Sequence, residues 1–177
     1  MLSLLAAGFL AAASAGAVPV AVSLASAAHG VSLLEGTFST SASREKAWQV
    51  LTDYDQLPLF VSSMRSSRVR ERQGGAVLLE QEAVAGLLFF RKKVRVTLDV
   101  REEPPGRLSF SDSTGKTFEV YEGSWELSDG GGGTLVTYKL RAKGGSGAPG
   151  FVTRAVSRKA VSGLLAEVRA EMERRAP

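Results

Sequence analysis

The polar side chains best placed for chemistry lie among apolar residues on predicted β-strands. By the period of two in a strand, Glu119, Tyr121 and Trp125 share one face of a single segment. Tyr138 and Gln81 lie between aliphatic residues on the corresponding faces of two other segments. An apolar surface with a few polar groups is typical of a small-molecule pocket. The same pattern is also typical of core aromatic residues whose hydroxyl groups find a partner inside the protein.

The composition excludes several kinds of catalytic site. The chain has no cysteine, which excludes disulfides and thiolate chemistry. Its single histidine, His29, leaves the folded domain without Ser-His-Asp catalysis or a histidine metal site. No pair of carboxylates and no nucleophile–base pair stands out, so we predict no catalytic residue, no metal ligand and no cofactor. An enzyme would have to draw its acid or base from Glu119, Tyr121, Tyr138 and Arg154.

The segment from Pro149 to Arg175 is predicted to form one long helix. Its apolar stripe recurs at spacings of three and four residues and consists of Val161, Leu164, Leu165, Val168 and Met172. Continued backwards, the stripe reaches Arg154 instead of an apolar residue. We expect Arg154 to lie at the rim of a cavity and to hydrogen-bond the oxygen-bearing end of a ligand, alone or with Glu119. A kink or a later helix start is the alternative.

The middle of the chain is predicted to be a series of strands joined by short turns. These strands are Leu33–Ser41, Met64–Arg72, Ala76–Val84, Lys92–Glu102, Leu108–Ser113, Thr117–Leu127 and Thr134–Lys143. Two short helices, Arg44–Leu51 and Leu57–Val61, follow the first strand. Short connections between successive strands indicate an antiparallel sheet. The fold class is therefore α+β, with the helices segregated to the ends of the chain.

Several segments carry a family resemblance. They are Ala47–Tyr54 with Leu57-Pro58 and Phe60-Val61, Gly123–Leu127, Gly133-Thr134 with Val136–Tyr138, and the terminal helix. Over residues 33–175 the chain resembles the START-like helix-grip superfamily, in particular the polyketide cyclase/dehydrase and coenzyme Q-binding proteins. The resemblance implies a curved antiparallel sheet of about seven strands around the C-terminal helix, with a hydrophobic cavity for lipids, quinones or polyketides between them. Phe60, in the first segment, is included among the predicted ligand-binding residues, as is Trp125.

The predicted connection from Ala85 to Phe90 is unusually apolar. It reads Ala-Gly-Leu-Leu-Phe-Phe and is followed directly by three basic residues. Apolar residues next to bases are typical of a loop that contacts an anionic membrane surface, and the residues concerned are Leu87, Leu88, Phe89, Phe90, Arg91, Lys92 and Lys93. In the alternative interpretation the loop caps the cavity, where Phe89 and Phe90 would contact the ligand. Both interpretations hold if the mouth of the pocket faces a membrane.

Residues 1–28 carry no charged side chain, and Ala25-Ser26-Ala27 fits a small-residue cleavage site. This pattern is typical of a secretory signal peptide. We therefore predict that the mature chain begins near Ala28 and is exported to the periplasm or cell envelope, with a START-like ligand-binding domain at residues 33–175. The alternative is an uncleaved membrane anchor, because the charge-free length could span a bilayer.

These patterns favour a non-catalytic binding protein. Arg68, Arg70 and Arg72 are predicted to share one strand face, with Arg65 nearby, but no exposed aromatic residues are interleaved with them, so nucleic acid binding is not indicated. We expect the protein to bind and carry or sequester a hydrophobic small molecule, such as a quinone, an isoprenoid or another lipid. One alternative is a cyclase/dehydrase-type enzyme acting on a polyketide-like or aromatic substrate in the same cavity. A second is a protein- or RNA-interaction module on the same fold.

Overall fold

The computed structural model describes residues 18–87, 90–145 and 157–176, and for residues 85–87 and 90–92 it describes the backbone only. The strands are β1 (Ala21–Ser26), β2 (Ser32–Thr40), β3 (Met64–Gln73), β4 (Ala76–Leu87), β5 (Phe90–Glu103), β6 (Arg107–Asp112), β7 (Phe118–Asp129) and β8 (Thr134–Gly144). The helices are α1 (Arg44–Thr52), α2 (Leu57–Phe60) and α3 (Arg158–Arg175), with 3-10 turns at Ala28–Gly30 and Tyr54–Gln56.

The strands form one antiparallel sheet of eight strands in the order β1-β2-β8-β7-β6-β5-β4-β3. Neighbours in the chain are neighbours in the sheet except where β2 pairs with β8, which brings the two ends of the domain together. This arrangement confirms the predicted α+β helix-grip fold. The additional strand is β1, which pairs with residues 32–37 of β2 and lies inside the segment predicted to be a signal peptide.

Alternation along the strands separates an inner face, which packs toward α3, from an outer face in solvent. On β5 the apolar residues Val94, Leu98 and Val100 are buried, as the sequence pattern predicts. The inner face of β8 is likewise apolar and buried at Val136 and Leu140. Charged side chains on the outer face form ion pairs between neighbouring strands. The sheet therefore has one surface on which a helix can pack.

Helix α3 begins later than predicted. Ser157 has an extended backbone, and its hydroxyl oxygen accepts a hydrogen bond from the backbone N–H of Ala160, so Ser157 is the N-cap of a helix of 18 residues. The prediction of one uninterrupted helix from Pro149 is therefore wrong at Ser157, in agreement with the alternative of a kink or a later helix start. The predicted apolar stripe is confirmed: its members Val161, Leu165, Val168 and Met172 are all buried.

The carboxyl end of α3 is tied to the end of α1 by a cluster of charges, which we call the clasp: Asp53, Glu171, Arg174 and Arg175. Glu171 accepts two hydrogen bonds from Arg174, at 2.6 and 2.7 Å. It accepts a third from Arg175, at 2.6 Å. Arg175 also donates to Asp53 at 2.9 Å. Glu171 is almost completely buried. The hydrogen bonds from Arg174 and then Arg175 lower the pKa of Glu171 to about 2.

Strands β4 and β5 are longer than predicted. Their register continues through Ala85↔Lys92 to Leu87↔Phe90, so most of the predicted loop belongs to the hairpin itself. The prediction of an irregular connection from Ala85 to Phe90 is therefore wrong, because both strands keep their backbone pairing as far as Leu87 and Phe90. Leu88 and Phe89 lie outside the described residues. Within the described ranges, none of the helices has the length and apolar character needed to cross a membrane.

Candidate functional site

A cavity of about 520 Å3 lies between the inner face of the sheet and the first turns of α3. Its wall includes Val84 and Val94 from the β4–β5 hairpin, Phe118 and Leu140 from β7 and β8, and Leu164 from α3. It continues inward into a smaller chamber of about 120 Å3, which is lined by residues such as Tyr54, Leu98, Phe110 and Trp125. The two volumes share several lining residues, so we treat them as one cavity. The larger volume is called the outer compartment and the smaller one the inner chamber or inner compartment.

Two larger depressions occur on the outer face of the sheet, but neither resembles a ligand cavity. They measure about 750 and 580 Å3. Their walls carry charged side chains, among them Arg101 and Arg141 in one and Arg70 and Arg95 in the other. Arg70, Arg95 and Arg141 are already paired with glutamates of adjacent strands. We therefore place the candidate site in the inner cavity, where the walls are mostly apolar.

Tyr121 and Tyr138 form the polar centre of this cavity. Both tyrosines line the outer and the inner compartments. Burial and, to a smaller extent, the Asp112 carboxylate raise the pKa of Tyr121 to about 12, whereas the hydrogen bond with Tyr138 lowers it. Burial also raises the pKa of Tyr138 well above its ordinary value, and the contact with Tyr121 raises it further. The two hydroxyl groups therefore lie close to each other on the cavity wall.

Aromatic rings hold the two tyrosines in place. The ring centroid of Tyr121 lies 4.7 Å from that of Phe118, and the centroid of Tyr138 lies 4.5 Å from that of Trp125. Phe110 is 5.9 Å from Tyr121 and 6.3 Å from Tyr138. Tyr138 and Trp125 are buried, while Tyr121 keeps a part of its surface accessible because it faces the cavity. These contacts fix the ring positions and leave the hydroxyl groups at the junction of the two compartments.

Gln81 supplies another polar group on the same wall. Its side chain lines both compartments, and its Nε2 donates a hydrogen bond to the Ser67 hydroxyl at 3.2 Å. The structure thus brings four of the predicted site residues together around the cavity: Gln81, Tyr121, Trp125 and Tyr138. Their roles in ligand binding stay predictions.

The predicted inward orientation of Glu119 is wrong. A β-bulge shifts the register of β7 against β8 between Phe118 and Val120. The bulge places Phe118 in the cavity wall and Glu119 on the outer side, where its carboxylate accepts a hydrogen bond from Lys143 at 2.7 Å. Glu119 therefore cannot serve as a partner for a bound ligand in this arrangement.

The other predicted site residues are not part of the described cavity wall. Phe60 packs at the edge of the core, where the Arg175 guanidinium lies 5.9 Å from its ring centroid. Phe89 and Arg154 lie outside the described residues, and only the backbone of Phe90 is described. The predicted membrane contacts from Leu87 to Lys92 are also without described side chains, so that prediction stays a prediction.

A network at the end of the inner chamber was missed by the sequence interpretation. The Tyr54 hydroxyl donates to the Glu102 carboxylate at 2.7 Å, and Arg72 donates to the other oxygen of Glu102 at 2.8 Å. Burial and then the hydrogen bond to Glu102 raise the pKa of Tyr54. A bulge in β3 between Val69 and Glu71 turns Arg72 away from the outer face, so the prediction that Arg72 shares a face with Arg70 is wrong.

The chemistry of the described walls is that of a neutral binding site. The described lining of the inner chamber contains no charged side chain, and the outer compartment has only Lys159 and Glu167. Glu167 accepts a hydrogen bond from the backbone N–H of Ser62 at 3.1 Å. Among residues 18–87, 90–145 and 157–176, no group of three or more His, Cys, Asp or Glu side chains could hold a metal ion. The described walls can exclude water and offer hydroxyl and amide groups.

The fold and the cavity define the class of protein, which is a START-like helix-grip protein with a mostly apolar cavity between sheet and helix. The chain belongs to the polyketide cyclase/dehydrase and lipid transport family, whose model matches residues 40–169. This match confirms the family resemblance. No curated protein matches the sequence significantly.

Solved structures show the same fold at low sequence identity. TTHA0849 from Thermus thermophilus is 19% identical with a TM-score of 0.69, over 82% of this chain and 99% of that one. The Zhui aromatase/cyclase from Streptomyces sp. R1128 is 16% identical with a TM-score of 0.66, over 82% and 95%. A STAR-related lipid transfer protein from Xanthomonas axonopodis is 17% identical with a TM-score of 0.60, over 85% and 98%. At these identities the likeness concerns the fold alone.

Proposed function

We propose that this protein binds a hydrophobic small molecule, such as a quinone, an isoprenoid or another lipid, and carries or sequesters it in the cavity between the sheet and α3. The observation that supports this most directly is the internal cavity of about 520 Å3 with mainly apolar walls. A few fixed polar groups inside apolar walls suit a ligand that is mostly hydrocarbon and carries one or two oxygens. The lipid transport named in the family description agrees with this use.

The protonation state of the two tyrosine hydroxyls in the cavity favours a carrier over an enzyme. Catalytic acids and bases work best with a pKa near the operating pH. Burial raises the pKa of Tyr121 to about 12, so its hydroxyl stays protonated at neutral pH. The same applies to Tyr138, whose pKa is raised well above its ordinary value by burial. The described part of the inner chamber has no carboxylate that could serve in their place.

A cyclase/dehydrase-type enzyme is the second candidate, because the family description names these activities and the tyrosine pair could polarise a carbonyl group. The two candidates differ in what happens to a bound polyketide-like compound. A carrier releases it unchanged, whereas an enzyme releases a cyclised or dehydrated product, which mass spectrometry of the released material would detect.

The proposed binding is tested by filling the cavity. Leu164 lines both compartments, so Leu164→Trp places a large side chain where the ligand would lie. We expect the wild-type protein, purified from its own host, to release a lipid or quinone in native mass spectrometry, and Leu164→Trp to lose most of it. Ala166→Trp adds the same side chain to an exposed position of α3 and is expected to keep the ligand. An absence of any bound molecule, or equal occupancy in both variants, would contradict the proposal.

A further inference from the structure

The hydroxyl groups of Tyr121 and Tyr138 provide one hydrogen more than they use on each other. Each tyrosine hydroxyl has a single hydrogen to donate. Whichever hydroxyl donates to the other, at most one of the two hydrogens is used between them. Among the described residues, no other group is hydrogen-bonded to either hydroxyl, and Tyr121 is the more accessible of the two. A donor of this kind is available for an acceptor from outside the protein.

The position of Tyr121 determines where such an acceptor would lie. Tyr121 lines both compartments of the cavity, and its ring is held between Phe118 and Phe110. Unlike the buried Tyr138, it retains accessible surface on the cavity side. An acceptor reaching Tyr121 is therefore a part of the ligand that enters past the outer compartment. The oxygen of such a ligand lies deep in the protein and not at the mouth.

The charge of the surroundings restricts the chemistry of that oxygen. The described walls of the inner chamber carry no cation that could pair with a carboxylate or a phosphate. An unpaired buried charge is strongly unfavourable, whereas a carbonyl group with one hydrogen bond is tolerated. Arg72, which lies over the Tyr54 ring at the end of the inner chamber, is paired with Glu102. Lys159 of the described outer compartment is exposed to solvent. A neutral acceptor fits this environment and an anionic head group does not.

We propose that the ligand enters with a neutral carbonyl group first, as a ketone, quinone or ester, and that Tyr121 donates a hydrogen bond to this oxygen beside Tyr138. This inference rests on the proposed function, since it concerns the ligand of the same cavity. It separates ligands with an inner carbonyl group from lipids that insert a plain hydrocarbon end and from anionic lipids that would place their charge inside.

Three probes of one shape test the inference: 2-acetylnaphthalene, 2-ethylnaphthalene and 2-naphthoate. Calorimetric titration of the wild-type protein is expected to show the ketone bound about 2- to 10-fold more tightly than the hydrocarbon, which is the usual effect of one net hydrogen bond. The anion is expected to bind more weakly than both. In the double variant Tyr121→Phe/Tyr138→Phe, which keeps both rings, the preference for the ketone should disappear while 2-ethylnaphthalene binds as before.

Tyr54→Phe is the matched control, because the hydroxyl of Tyr54 is already donated to Glu102. Whatever its overall affinity, this variant should keep the wild-type ratio between ketone and hydrocarbon. The infrared carbonyl frequency of bound 2-acetylnaphthalene gives an independent measurement, since a hydrogen bond lowers it in the wild-type protein relative to Tyr121→Phe. This measurement applies even if the double variant does not fold.

The outcomes separate this inference from the proposed function. Equal affinity of the wild-type protein for ketone and hydrocarbon, or an unshifted carbonyl frequency, would overturn the inference and leave the binding function standing. Tight binding of 2-naphthoate would overturn it in the same way. Failure of the wild-type protein to bind any of the three probes would overturn both the inference and the proposed function.

Discussion

Glycines at two positions have opposite surroundings, although both belong to regular elements. Gly163 lies inside α3 at the edge of the cavity, and a Cβ added there would meet no atom within 4 Å. Gly123 lies on the inner face of β7, where an added Cβ would overlap the backbone oxygen of Lys139 and lie 2.7 Å from the Phe110 ring. Gly163 therefore has open space beside its Cα atom, whereas Gly123 allows the backbone of Lys139 and the ring of Phe110 to pack closely against β7.

Replacing Gly163 with alanine is expected to stabilise the protein. Alanine loses less conformational entropy than glycine when a helix forms, so Gly163→Ala should raise the free energy of unfolding by about 0.5–1 kcal/mol. Gly123→Ala is the matched control with the opposite sign, because overpacking costs about 1–3 kcal/mol. Urea denaturation measures both changes. A decrease for Gly163→Ala would contradict the helical, open environment described for this residue.

At the residue scale, the sequence predicts the inner polar residues well where a strand is regular and fails where it has a bulge. Gln81, Tyr121 and Tyr138 follow strict alternation and lie on the cavity wall. The bulge beside Phe118 reverses the alternation for Glu119, and the bulge after Val69 does so for Arg72. A bulge is a local change in backbone pairing, and neither of these two bulges is marked by a distinctive residue type. The pattern of apolar and polar residues therefore does not reveal where they occur.

Among the elements, the clasp makes the attachment of α3 dependent on pH. The pKa of Glu171 lies at about 2 in the folded protein, below its ordinary value of 4.5 in the unfolded chain. A lowered pKa stabilises the fold above about pH 4.5, and this stabilisation is lost as the pH falls toward 2. We expect a loss of about 1–2 kcal/mol across this range, a value reduced because Arg174 is largely in solvent.

Thermal unfolding of Glu171→Gln between pH 7 and pH 2 measures this contribution. The variant should be less stable than the wild type at pH 7 and should approach it at the acid end. Glu35→Gln, at an exposed position of β2, is the control and should leave the wild-type pH dependence in place. Parallel curves for the wild type and Glu171→Gln would show that the clasp does not contribute.

The β4–β5 hairpin is the element for which we propose contact with an anionic membrane. Val84 and Val94 line the cavity, and the hairpin continues beyond them with the sequence Leu87, Leu88, Phe89, Phe90 and three bases. Leu88→Ser/Phe89→Ser should reduce co-sedimentation with vesicles containing anionic lipid, because apolar side chains would no longer enter the interface. Leu59→Ser, at an exposed site on α2, should not. A loss of several kcal/mol of stability in the hairpin variant would instead indicate core residues.

The order of the elements is largely predictable from the sequence, while their ends are not. Alternation in β5 and β8 and the short turns between strands predict the antiparallel sheet, and the apolar stripe of α3 predicts the face that packs on it. Strand β1 is missed because its Ala- and Ser-rich sequence, AVSLAS, shows little alternation and is mostly exposed. The start of α3 is missed because Ser157, its cap, is one of several candidate positions.

For the whole molecule, we propose export and cleavage near Ala28, and the sheet geometry shows what cleavage would remove. Strand β1 lies at the edge of the sheet, and its residues are mostly exposed. Val20 and Val22 are partly buried against the core. N-terminal sequencing of the protein from the envelope fraction tests the proposal, and a full-length protein in the cytosol would contradict it.

A chain that lacks residues 1–27 is expected to fold and to bind as the full chain does. The described cavity wall contains no residue before Leu51, and the family match begins at residue 40. Because two half-buried valines are lost, we expect the melting temperature to fall by only about 5 °C. A chain that lacks residues 1–17 keeps β1 and is the control. Circular dichroism and titration with 2-acetylnaphthalene measure folding and binding, and an unfolded product would show that β1 belongs to the domain and that cleavage near Ala28 is incompatible with it.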